Sequence, residues 1–389
     1  MWNWLINPEK PYTWGFIARV VIKATLLFIL LNLLFVLLQP IDALSRYTLY
    51  NNVFAGRERL PYGGDDFSQS NAVTMDNIPA MIASHQIARQ KADDEFRVVI
   101  FGNSGIWGFW LPSSQTLGPQ MTRMNTKLAD GRRVVVYNLA YPYPYIIRDL
   151  LFMDEAMQYK PDMIIWVVSA ASFWEDPNSP IILNNLDKVR HLVENYGLTV
   201  HFNTESPVAT DFYSQTIIGK RATLLTLLQN QLTGILWNGL GIDHNIPSSI
   251  PKTPNDLPDD DKWSSFSPSQ YTAENLLSFH FVDVGYNLAG DIPLIMINQP
   301  MFIATGENSY LRYNLDYPRW LFDDYRALFA KSVAQNAWLY CDLWDALPNE
   351  YYTDTPFHMN ASGIAELGRI LLEMITHYME LGSLGRDCE

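Results

Sequence analysis

Residues 24–41 run ATLLFILLNLLFVLLQPI without a formal charge. Extended back to Trp14, the apolar stretch is interrupted only by Arg19 and Lys23. A helix that crosses a bilayer needs about 20 mostly apolar residues, and cations near one end can reach the interface on their long stems. Trp2, Trp4, Tyr12 and Trp14 suit an interfacial aromatic belt. The pattern predicts a short tail over 1–13 and a single transmembrane anchor over 14–41. A cleavable signal peptide is the alternative, but no A-x-A cleavage site follows the apolar run. Lys10, Arg19 and Lys23 precede the span, and Arg46, Arg57 and Arg59 follow it. The charges closest to the core favour an inside N-terminus, which places residues 45–389 outside the cytoplasm.

Residues 42–94 read as a juxtamembrane connection, with a turn cluster at Gly63-Gly64-Asp65-Asp66 and a weakly helical stretch over 75–89. Apolar runs then alternate with helical patterns. Strands are predicted over 96–102 (FRVVIFG), 133–139 (RVVVYNL), 162–169 (DMIIWVVS), 292–298 (IPLIMIN) and 337–343 (AWLYCDL). Helices are predicted over 114–128, 146–159, 319–335 and 361–380. Strands apolar on both faces that alternate with helices predict a mostly parallel sheet covered on both sides. The expected fold is a three-layer α/β/α domain over 95–389 with a five-stranded sheet of flavodoxin-like order. The stretch over about 174–290 is too long for one crossover and reads as an inserted cap, helical over 210–237 and rich in Pro, Ser and Asp over 248–270.

Composition narrows the function classes. Hydrophobic residues make up 48%, aromatics 13% and charged residues 17%, which excludes a disordered chain. There are 27 Lys and Arg against 41 Asp and Glu, for a net charge of −14. That leaves no basic footprint for nucleic acid. The excess acid falls largely on the soluble part and argues against holding an anionic polymer by broad electrostatics. Two cysteines, Cys341 and Cys388, exclude a disulfide scaffold and a Cys-rich zinc site. Cys341 lies in an apolar strand-like run and Cys388 at the chain end, and the two are not expected to pair. Asp256, Asp259, Asp260 and Asp261 are read as a solvated acidic loop or a calcium site, and their spacing matches no calcium-loop pattern. No His/Cys/carboxylate cluster has ligand spacing, so neither a metal nor an organic cofactor is expected.

In an open parallel sheet, ligands sit beyond the carboxyl ends of the strands. The first strand ends Gly102-Asn103-Ser104-Gly105. A serine there lies at a strand-to-helix turn, with its hydroxyl near backbone N–H groups that can face an oxyanion. An ordinary helix N-cap is the alternative reading. Between the last strand and last helix lies Asp354-Thr355-Pro356-Phe357-His358. A carboxylate just ahead of a histidine can orient an imidazole that deprotonates a serine. His85, His191, His201, His244, His280 and His377 lack such a setting and are read as structural. Asn298-Gln299-Pro300 ends the fourth strand, either to bind a sugar or acyl carbonyl or as turn chemistry before proline. Trp107, Trp110, Tyr141, Tyr143 and Tyr145 follow the first two strands, as a glycan platform or as packing under the insert.

Gly102-Asn103-Ser104 resembles the G-D-S block of the SGNH/GDSL hydrolase superfamily, and Asp354 through His358 resembles its D-x-x-H block. Tyr137-Asn138-Leu139-Ala140-Tyr141-Pro142 is similar to the second block. Residues 161–173 are similar to the third. Asn103 stands where the family has Asp, and Ala140 where it has Gly. The third-block Asn falls at Ala170 or Ala171. Asp354 lies four residues before His358 rather than three, a place held by Thr355. The anchor makes the chain similar to the extracytoplasmic branch that includes the D-alanyl-lipoteichoic-acid and alginate O-acetylation accessory proteins.

The resemblance implies an O-acyltransferase or esterase acting on a cell-envelope glycan, with a membrane-bound O-acyltransferase as a possible partner. Ser104 is the implied nucleophile, His358 the base and Asp354 the group that orients it. The N–H groups of Ser104 and Ala140 are expected to face the oxyanion, with Asn103, Asn138 and Asn298 lining the substrate site. The competing reading is a catalytically impaired, glycan-binding or accessory subunit of a membrane acyltransferase or export complex.

Overall fold

The computed structural model describes residues 13–53, 56–62, 77–143, 145–174, 182, 185–200, 211–240, 246–385 and 388. Trp2, Trp4, Lys10, Tyr12, the turn cluster at 63–66, His201 and His244 lie outside them. The described residues fall into two compact units, 13–45 with 211–229 and the remainder.

Helix α1 spans Trp14–Leu38, begins at an N-cap on Thr13 and stops at Gln39, which takes a left-handed conformation (φ 44°). Its 25 residues make about 37 Å of helix. It is long and apolar enough to cross a membrane. The 75–89 stretch condenses to α2 (Ile78–Ser84) and a short 3₁₀ turn. Strand β1 (Glu95–Phe101) is followed by a single helical turn, Ser104–Trp107, and by α3 (Leu117–Arg123). Strand β2 (Arg133–Asn138), α4 (Ile146–Ala156) and β3 (Met163–Val168) come next. Then follow α5 (Leu186–Tyr196), α6 (Arg221–Leu240), α7 (His280–Ala289) and β4 (Leu294–Asn298). Helix α8 (Arg319–Asn336), β5 (Leu339–Asp342) and α9 (Ala361–Leu381) close the chain.

All five strands are parallel, in the order β2-β1-β3-β4-β5. Every residue of β1, β3 and β4 is buried. Burial on both faces is why these strands read as largely apolar runs rather than alternating ones; the exception in β1 is the buried pair Glu95 and Arg97, 2.6 Å apart. The step from β1 to β2 runs opposite to the later steps, so right-handed crossovers put α3 on one face and α4, α7 and α8 on the other. Helix α9 returns to pack on α3, and α7 packs on α4. The reversal of strand order at β1 opens a crevice at the carboxyl ends of β1 and β3.

The predicted insert over 174–290 is wider than the one observed. Trp174 bridges to Leu277, and Ser278 N–H donates to the Phe173 carbonyl at 3.0 Å. The excursion is therefore pinched shut at that neck, and α7 beyond it is the crossover helix into β4. The cysteine expectation is overturned. Cys341 and Cys388 form a disulfide, with Cα atoms 4.4 Å apart. Helix α9 brings the chain end back beside β5, a closeness that separation along the chain does not reveal.

His85 caps the turn after α2, its Nδ1 accepting from Ile87 N–H at 3.2 Å. Burial, with help from Arg57 and Arg97, pushes its imidazole down to about 3. The unfolded chain takes up this proton below its ordinary value near 6.5, whereas the folded chain does not until about 3. His85 therefore stabilises the fold fully above pH 6.5, and that contribution falls as pH drops toward 3. The expected slope approaches 1.4 kcal/mol per pH unit, one proton's worth. Thermal melts in detergent between pH 4 and 7 check this, and His85→Gln should remove that part of the slope.

Candidate active site

Strand β1 delivers Ser104 to the crevice. Asn103 caps the helical turn that starts at Ser104, its Oδ1 accepting from Gly105 N–H at 3.0 Å. Gly105 is obligatory here, because a Cβ would lie 2.4 Å from the Phe357 carbonyl oxygen. That closeness sets the Ser104 turn directly against the loop that carries His358. The loop is closed at its neck by Thr353 N–H donating to His358 O at 2.8 Å. Its curvature lets Asp354 reach the His358 imidazole from four positions back.

The Ser104 hydroxyl donates to His358 Nε2 at 2.9 Å, and His358 Nδ1–H donates to Asp354 Oδ1 at 2.9 Å. An ionised carboxylate only accepts, which fixes the proton on Nδ1 and leaves Nε2 free to accept. Burial alone would raise the Asp354 carboxyl. The hydrogen bonds from His358 and Trp110 and the charge of the imidazole outweigh it and hold the group at about 2. Thr355 does not compete for the imidazole. Its Oγ1 accepts from Phe357 N–H at 3.3 Å and His358 N–H at 3.1 Å, shaping the turn. Phe109 stacks on the His358 ring, 4.8 Å between centroids and 13° between planes.

The remaining predicted site residues are differently employed. Asn103 pairs with Gln299, its Nδ2 donating to Gln299 Oε1 and its Oδ1 accepting from Gln299 Nε2 at 3.0 Å. Asn138 Oδ1 accepts from Ala140 N–H at 3.1 Å, and its Nδ2 donates to Ile106 O at 2.7 Å. The Ala140 N–H expected at the oxyanion is thus already taken. Ser104 N–H has no such partner among the described residues. Asn298 is fully buried, donating to Asp342 at 2.7 Å and accepting from Tyr325 at 3.2 Å, so it holds the sheet rather than a ligand.

A cleft of about 700 Å³ opens over Ser104 and His358. Of the five predicted platform aromatics only Tyr143 lines it; Tyr62, Phe109, Trp263, Tyr317 and Phe357 supply the rest of the aromatic wall. Trp107 and Tyr141 are buried, and Trp107 lies under the Arg59 guanidinium. Ser169, at the end of β3, lines the cleft. So does Asp316, whose carboxyl burial raises despite Arg312 and His358 nearby. The acidic stretch of the insert is spent on the chain itself: Asp256 accepts from Glu307 N–H at 2.9 Å and Asp260 pairs with Arg312 at 3.1 Å. Among the described residues no group of three or more His, Cys, Asp or Glu side chains is placed to hold a metal ion.

Sequence reasoning missed Arg148. Its guanidinium is completely buried and donates to Gly102 O at 2.9 Å, to Tyr141 O and Pro142 O at 2.8 Å each, and to Tyr143 O. It thereby ties the end of β1 to the end of β2. The adjacent Asp149 neutralises it and accepts from Trp166 Nε1 at 3.0 Å. The available signal was an Arg-Asp pair inside an otherwise apolar run, YIIRDLLF. No family model matches the chain, and a search of the curated proteins finds no match.

Proposed function

We propose that this chain is a membrane-anchored SGNH-type acyl-ester enzyme whose domain works outside the cytoplasm on a neutral cell-envelope glycan. The observation that carries the reading is the relay from Ser104 through His358 to Asp354, with both hydrogen bonds at 2.9 Å. Such a relay activates a serine for attack on an acyl carbonyl. Ser104 Oγ bonds to the carbonyl carbon while His358 Nε2 takes the serine proton. The carbonyl oxygen gains the charge and meets the Ser104 N–H. Collapse expels the donor alcohol, which receives the proton from His358, and leaves an acyl ester on Ser104. In the second half His358 Nε2 takes a proton from water or a sugar hydroxyl as that oxygen bonds to the acyl carbon; the Ser104–acyl bond breaks and Ser104 Oγ takes the proton back, giving a free acid in an esterase or an acylated sugar in an O-acyltransferase. The aromatic cleft wall suits a sugar face, and the anchor suits an envelope acceptor; both favour the transferase. The Cys341–Cys388 disulfide fits an oxidising compartment and supports placing the domain outside. A membrane-bound O-acyltransferase is the partner that such an arrangement suits.

One observation favours the second reading, a non-catalytic accessory subunit. Ala140 N–H is engaged by Asn138, and Ala170 and Ala171 offer no side-chain donor. The oxyanion site then rests on fewer donors, each worth about a hundred- to a thousand-fold in rate. A fluorophosphonate probe decides between the two. Covalent adduct on Ser104, located by peptide mass, is the expected result, with acyl transfer from an aryl acetate to oligosaccharide. Folded protein that stays unlabelled overturns the enzyme reading.

A further inference from the structure

We propose that the insert carries a second lipid-immersed element: the segment 211–229, which lies in the bilayer beside α1, in the leaflet where α1 ends. The proposal rests on the reading of α1 as a membrane anchor. It identifies a phospholipid surface as what covers an apolar face the fold leaves open.

The first support is where the segment is tied. Asn32 is the one buried residue of α1. Its Nδ2 donates to Phe28 O at 2.9 Å within the helix, and its Oδ1 accepts from Ile217 N–H at 3.1 Å. Gln39 Nε2, at the helix end, donates to Gln215 Oε1 at 3.1 Å. Asn32 precedes Leu38 by six positions, which is about 9 Å of helix. A carboxamide at that depth in a spanning helix has no water to satisfy it and must find its partners in protein. The backbone of the insert supplies one, so the insert itself descends to that depth.

The second support is what the segment exposes. Phe212, Tyr213, Ile218, Leu225 and Leu228 are all exposed, Leu225 at 65% and Leu228 at 60%. On α6 the stripe continues at Leu232 and Leu236, also exposed, and the spacing of three and then four residues keeps it on one helix face. Helix α6 carries no formal charge after Arg221. A water-facing helix would place charge on such a face. Leucines in contact with acyl chains need none. Lys220 and Arg221 are the cations of the segment, and Arg221 Nη1 also donates to Ile218 O at 2.8 Å. Their long stems let the charged heads rise to the phosphate level while the neighbouring leucines stay in hydrocarbon.

Nitroxide labels test this in the full chain, reconstituted into vesicles of phosphatidylcholine and phosphatidylglycerol. Both native cysteines are held in the disulfide, so single Leu225→Cys and Leu228→Cys variants can be labelled without reductant. Leu30→Cys on α1 is the lipid reference and Ser267→Cys the water reference. The expected result is collision dominated by oxygen over a water-soluble nickel chelate at 225 and 228, as at 30. Collision dominated by the nickel chelate, as at 267, overturns the proposal. Low collision with both reagents overturns it too, since protein rather than lipid would then cover the face. A water-like result at position 30 would instead remove the anchor reading itself.

Discussion

Asp354→Asn slows covalent labelling of Ser104 by fluorophosphonate about 10⁴-fold while leaving the fold intact. The size follows from proton placement rather than from lost charge alone. The carboxylate accepts from His358 Nδ1–H at 2.9 Å and so keeps Nε2 unprotonated toward Ser104. An amide of the same shape can turn its NH₂ toward Nδ1, and the imidazole then carries its proton on Nε2. In that tautomer Nε2 cannot accept from the serine hydroxyl, and the nucleophile loses its base. Thr355→Ala is the matched control. It removes an acceptor for two backbone N–H groups but leaves the imidazole tautomer alone, so its effect on labelling should be far smaller. The wild-type carboxyl is held at about 2, which means that no acid limb above pH 4 in the labelling profile belongs to Asp354. Second-order labelling rates from pH 5 to 9 for the three proteins check all of this. Equal rates for wild type and Asp354→Asn would show that the relay does not activate Ser104.

The sheet was legible because burial on both faces leaves a signature that needs no tertiary knowledge. β1, β3 and β4 are dominated by Val, Ile, Phe, Trp, Leu and Met, and strand order follows from how alternating units wind. Ser104 and His358 were legible because sheet topology dictates where strand ends converge. Most of what the sequence hid depends on a contact between segments far apart in the chain. The Asn103–Gln299 pair joins residues 196 positions apart. The engagement of Ala140 by Asn138 is local but depends on side-chain direction, which periodicity does not carry. The predicted aromatics divide between the cleft and the core for the same reason. Trp107 and Tyr141 turn into the core, whereas Trp263 and Tyr317 arrive from distant loops. The disulfide was missed because the return of α9 to β5 is a property of the packed layers.

Arg148→Met should destabilise the protein by about 3–5 kcal/mol, the cost of breaking a buried ion pair from one side, and should abolish labelling of Ser104. Two effects add. Asp149 would keep a buried carboxylate with only Trp166 Nε1 as donor, in a place where burial already pushes its carboxyl up. The carbonyls of Gly102, Tyr141, Pro142 and Tyr143 would also lose the guanidinium they share. Gly102 O would keep only Tyr141 N–H as a donor, carbonyls that lose theirs are costly to leave unpaired, and the turns that carry Ser104 and Tyr143 would loosen. Arg148→Lys should rescue little, because one ammonium cannot span carbonyls on two strands as a planar fork does. Asp149→Asn should be milder, since the carbonyls still accept from Arg148. Replacing both, with Arg148→Met and Asp149→Leu, separates the two effects. The double variant should recover the part of the stability lost to the stranded carboxylate, so the two substitutions are not additive. It should not recover labelling, because the guanidinium that joins the four carbonyls does not return. Thermal melts of the four variants beside their Ser104 labelling rates make the distinction. A double variant that regained wild-type labelling would show that Arg148 only balances the charge of Asp149, and does not hold the nucleophile turn.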